Sequence, residues 1–64
     1  MTKASIVVMS HLSDAQEEIN MGYANKGIIH NLNFVKYIIL QTGGDLTKEI
    51  DPDVMYDEFN DKQK

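Results

Sequence analysis

The sequence predicts an all-α protein built around one long central helix that needs a second copy of the chain to cover it. Three observations carry this. From Met21 to Thr42 the apolar residues Met21, Ile28, Leu32, Val35 and Ile39 recur mostly three or four apart, which is one face of an α-helix. Ile29, Phe34, Tyr37, Ile38 and Leu40 then widen that face beyond what one short flanking segment can shield. Finally, the chain has only 64 residues and no cysteine, so no disulfide can staple it, and no zinc pattern is present. Oligomerisation is the remaining common route to stability at this size, and a two-fold homodimer is its simplest form. The expected architecture is an oligomeric helical bundle.

Residues 1–12 admit two readings. Ile6, Val7 and Val8 are β-branched and locally favour a strand. Against this, Ala4, Val8, Leu12, Ala15 and Ile19 form a helical stripe that runs into the next segment, and a helix extension is preferred. A lone strand would have to pair with its copy in another chain, since no second strand candidate is visible. The main helix is placed at 14–42. Ser13 and Asp14 can cap its free amides, Gln16 or Glu17 can close a capping box, and the acids suit the positive end of the dipole. Between Met21 and Gly27 the stripe changes register, so the helix bends or divides there, or a partner backbone packs against the glycines.

Gly43 and Gly44 end the helix, and 43–50 is a turn or linker from which Leu46 and Ile50 can fold back onto the core. A C-terminal helix follows at 51–61, with Asp51 as N-cap and Pro52 in the first helical position. Its expected inner side is Val54, Met55, Glu58 and Phe59. Lys62 and Lys64 sit at its negative end, where cations belong. The whole chain is one small domain.

Charge narrows the function classes. The net charge is -4, and all of it comes from residues 43–64, where three lysines face seven acids. With no arginine and no basic cluster, ordinary phosphate-backbone binding is disfavoured. The apolar run from Ile28 to Leu40 is interrupted by His30, Asn31, Asn33 and Lys36 and is too short to span a membrane. The segment MTKASIVVMSHLSD has too short an apolar patch for a signal peptide, so a cytoplasmic protein is expected.

Chemistry has little support in the pattern. His11 and His30 form no ligand pair with helical spacing, and His11 with Asp14 is better read as an exposed local pair. His30, Asn31 and Asn33 read as a polar edge, while Asn25 lies on the apolar stripe, where a buried amide can fix register. Asp51, Asp53 and Asp57 resemble part of a calcium loop, but Met55, Tyr56 and Lys62 stand where that loop wants an oxygen ligand, Gly and Glu. Gly43 and Gly44 lack the Lys-Ser/Thr ending of a phosphate loop, and no nucleophile motif is present. No catalytic residue, cofactor or metal is expected.

The function expected is therefore protein–protein interaction by a self-associating helical protein. Its oligomer interface is placed on Met21, Ile28, Leu32, Val35 and Ile39, and its partner surface on Asp53, Tyr56, Asp57 and Phe59, with a basic protein as the possible partner. Asp45, Glu49, Asp53, Asp57 and Asp61 recur every four residues and would align on one side of a helix. Such a row suits a solvated face, a basic partner, or an inhibitor that imitates DNA. The strand reading of the N-terminus supplies the alternative: a strand followed by two helices in a dimer resembles the ribbon-helix-helix repressors in topology, which implies nucleic-acid binding. Those proteins place basic and polar residues on the strand, whereas Lys3 is the only charge here before His11.

Overall fold

The computed structural model describes residues 1–22 and 25–62. Three helices dominate, α1 at Ala4–Met21, α2 at Asn25–Gln41 and α3 at Pro52–Lys62, with two short strands, β1 at Thr2–Lys3 and β2 at Glu49–Ile50. The strands pair antiparallel, Thr2 with Ile50 and Lys3 with Glu49. None of the described helices is long and apolar enough to cross a membrane.

Residues 4–12 are helical, and the strand is confined to Thr2 and Lys3. The β-branched trio does not prevent this because Val7 and Val8 are buried in the core, and tertiary burial outweighs local propensity. Lys3 offers no side-chain cap. The first amides of α1 are bound by tertiary carbonyls instead, Ala4 N–H to Lys48 O at 2.8 Å and Ser5 N–H to Leu46 O at 3.0 Å. A second strand does exist, and β1 pairs with it inside the same chain, so the expectation of pairing between copies is corrected.

The helix expected over 14–42 is divided. Gly22 adopts a left-handed conformation with φ 72°, and its N–H reaches the carbonyls of Glu18 and Ile19, which ends α1. Ser13 and Asp14 do not start a helix; they are exposed residues in the middle of α1. Tyr23 and Ala24, also inside the expected helix, lie outside the described residues, as does Lys64. Helix α2 returns antiparallel to α1: Glu18 meets Gly27 and Asn31, while His11 meets Asn31 and Phe34.

Helix α2 closes with Thr42, whose buried hydroxyl donates to Ile38 O and Ile39 O, followed by Gly43 and Gly44 at φ 64° and 84°. The Gly44 N–H bonds Ile39 O at 2.9 Å. Leu46 and Ile50 fold onto the core as expected, although 49–50 is strand rather than linker. Asp51 caps α3, its Oδ1 accepting from the amides of Asp53 at 3.1 Å and Val54 at 3.4 Å. The inner side of α3 is Met55, Tyr56 and Phe59; Val54 and Glu58 are exposed, contrary to expectation, because the inward direction falls about 150° around the helix from Val54.

The core is Ala4, Val7, Val8, Phe34, Val35, Ile38, Ile50 and Phe59, with Tyr37, Leu46, Met55 and Tyr56 packed on it. Phe34 is its centre. It meets His11 at 4.7 Å and Tyr56 at 5.0 Å edge-on, and Phe59 at 5.3 Å.

Candidate interaction surface

Two heptad rows define an outer face on the α1–α2 hairpin. In α1 the row is Val8, Leu12, Ala15 and Ile19; Val8 and Ala15 are buried, whereas Leu12 and Ile19 are 43 % and 53 % exposed. In α2 it is Ile28, Leu32, Val35 and Ile39; Val35 is buried, whereas Leu32 and Ile39 are 45 % and 39 % exposed. Each row thus alternates between a position turned into the core and one turned out, the spacing of a coiled-coil seam with one side unfilled.

Helical phase places both rows on one side. At about 100° per residue, Leu32 and Ile39 lie roughly half a turn around α2 from His30, Phe34 and Tyr37, the residues that touch Tyr56 and Phe59 of α3. Leu12 and Ile19 flank Val8 and Ala15 on the side away from His11 and Glu18, which bond toward the α3 side of the seam. The face therefore lies opposite α3. Met9 at 67 % exposure extends it along α1, and Gln16, bonded to Asn20 at 3.1 Å, gives it a polar edge.

Of the residues expected at an oligomer interface, Leu32 and Ile39 lie on this face and Ile28 is half-buried beside it. Val35 is 7 % exposed and belongs to the core of the single chain, a correction that follows from its place between the two helices. Met21 is exposed, but the break at Gly22 puts it on α1 and out of the α2 row. Leu12 and Ile19 were visible in sequence as part of a helical stripe, yet only the hairpin brings them beside Leu32 and Ile39.

The seam on the other side of the hairpin is polar. Asn31 Nδ2 donates to Glu18 Oε1 at 2.8 Å, and His11 Nδ1 and Asn31 Oδ1 are 2.9 Å apart. A carboxylate only accepts, so the amide nitrogen of Asn31 must face Glu18 and its oxygen must face His11; His11 therefore donates from Nδ1. Gly27 leaves the space into which the Glu18 carboxylate fits, since a Cβ there would collide with it. Asn31, rather than the exposed Asn25, is thus the register-setting amide, and His11 bonds across the hairpin rather than to Asp14.

No family model, curated protein or solved structure matches the chain.

Helix α3 carries the other expected surface. Asp53 and Asp57 are exposed there, but Phe59 is 3 % exposed and Tyr56 is half-buried, so those aromatics face the core and are corrected as partner residues. Tyr56 OH shares a 2.8 Å hydrogen bond with His30 Nε2. The four-residue acid row is continuous only over Asp53, Asp57 and Asp61, since Glu49 is in β2 and Asp45 in the preceding turn. The Asp45 carboxylate accepts from the Thr47 hydroxyl and amide, which holds it below the usual carboxylate range. Among the described residues no group of His, Asp and Glu is arranged to hold a metal.

Proposed function

We propose that this chain is a small, non-enzymatic helical protein of the cytoplasm that self-associates and works through protein–protein contact. The observation that carries the proposal is the row of Leu12, Ile19, Leu32 and Ile39, apolar side chains that the rest of the chain leaves about half uncovered. Two-fold pairing through it would set two hairpins face to face as a four-helix bundle, with α3 on the outside of each half. It would withdraw from water the equivalent of roughly four whole Leu or Ile side chains, on the order of 6–12 kcal/mol before the costs of association.

With the hairpin face closed, the outer side of α3 becomes the surface offered to others. Asp53, Asp57 and Glu58 there surround Val54, which is 53 % exposed, an arrangement suited to a basic protein with one apolar anchor. The ribbon-helix-helix alternative loses its premise, because residues 4–12 form helix and β1 is paired within the chain.

Sedimentation velocity from about 1 to 500 µM tests the self-association. A reversible rise in mass to twice 7.3 kDa is expected, and a monomer throughout that range rejects the proposal.

A further inference from the structure

A groove of about 320 Å³ lies between α2 and α3, lined by Asn33, Lys36, Tyr37, Leu40, Phe59 and Lys62. Its charge differs from that of the chain. The molecule carries a net charge of -4, yet this lining holds two ammonium groups and no carboxylate among the described residues. Its apolar part is Leu40, which is 67 % exposed, beside the rings of Tyr37 and Phe59. Lys62 is exposed, with its Nζ 4.9 Å from the centre of the Tyr37 ring. Asn33, Lys36 and Leu40 occupy successive turns of one edge of α2, so the cation and the apolar residue stand about one turn apart. At the rim of the groove the Glu58 carboxylate accepts from Tyr37 OH at 3.3 Å.

We propose that this groove binds a small organic anion with an apolar body, a medium-chain monocarboxylate. The carboxylate sits between Lys36 and Lys62, with Asn33 as an additional donor, and the hydrocarbon lies along Leu40 and the half-buried ring of Tyr37, over a floor closed by the buried Phe59. The groove is shallow and open to solvent, so it holds one side of a small ligand.

An amide-resolved NMR titration with octanoate tests this, with octanol as the uncharged control. The expected result is saturable shifts confined to residues 33–40 and 59–62, at least tenfold weaker binding for the Lys36→Gln/Lys62→Gln double variant, and no saturable shifts there with octanol. Equal responses to octanoate and octanol, or an unchanged affinity in the double variant, would overturn it. So would shifts centred on Leu12, Ile19, Leu32 and Ile39, which would mean that the hydrocarbon adsorbs to the hairpin face. Since none of the groove residues belongs to that face, failure here leaves the self-association proposal standing.

Discussion

Asn31 joins two charged or polar side chains of α1 to α2, and its substitution isolates both. Asn31→Leu removes the partner of the Glu18 carboxylate and of His11 Nδ1 at once, and each is left inside a seam where water reaches only partly. Urea unfolding is expected to show a loss of about 1–3 kcal/mol, whereas Gln16→Ala, at an exposed bond, stays within about 0.5 kcal/mol. Equal effects would mean that the seam is no more than a wet surface. A second residue-scale expectation concerns Asp45, whose carboxylate is held low by Thr47. A carboxylate with a folded pKa below its unfolded value adds stability above the unfolded value, and that contribution disappears as pH falls through the folded one. An NMR titration should find Asp45 below an ordinary aspartate, and Thr47→Ala should bring it back up.

The elements begin and end for different reasons, and this decides which of them sequence reasoning could place. Asp51 and Pro52 start α3 with local chemistry, and that start was legible; Asp51→Ala should cost about 1 kcal/mol in chemical denaturation. Ser13 and Asp14 show a similar local pattern but lie mid-helix, so Asp14→Ala is expected to be neutral or to stabilise by a few tenths of a kcal/mol. If Asp14→Ala proved as costly as Asp51→Ala, a helix start at residue 14 would be restored. The true start of α1 was illegible because the groups that satisfy Ala4 and Ser5 are carbonyls more than forty residues away. Helical periodicity and the Gly43–Gly44 pair placed the end of α2, but within a single main helix over 14–42 rather than as a helix beginning at Asn25. It could not show that Gly22 stops a helix while Gly27 sits inside one, since that difference lies in Gly22's left-handed backbone and in the space Gly27 leaves for Glu18. The same limit applies to the proposed interface: periodicity marked Leu32 and Ile39 as apolar, but it could not separate them from Val35, whose side chain is taken up by the core.

At the scale of the molecule, the chain is a slab with extents of 33 × 26 × 17 Å, and a helix with side chains is about 10–12 Å across. Helix α3 packs on one side of the α1–α2 hairpin through Tyr56 and Phe59, and the opposite side, with Leu12, Ile19, Leu32 and Ile39, is left half-exposed. If a second copy covers that side, as proposed, association and folding are linked, and the melting temperature rises with protein concentration. Two substitutions then separate interface from core. Leu32→Asp, at a position 45 % exposed, should abolish the concentration dependence and leave a helical monomer with the circular dichroism of the dilute wild type. Val35→Asp, at 7 % exposure, buries a charge inside the single chain and should unfold it at every concentration. If Leu32→Asp instead keeps both the wild-type mass and its concentration-dependent melting, the hairpin face is not where the copies meet.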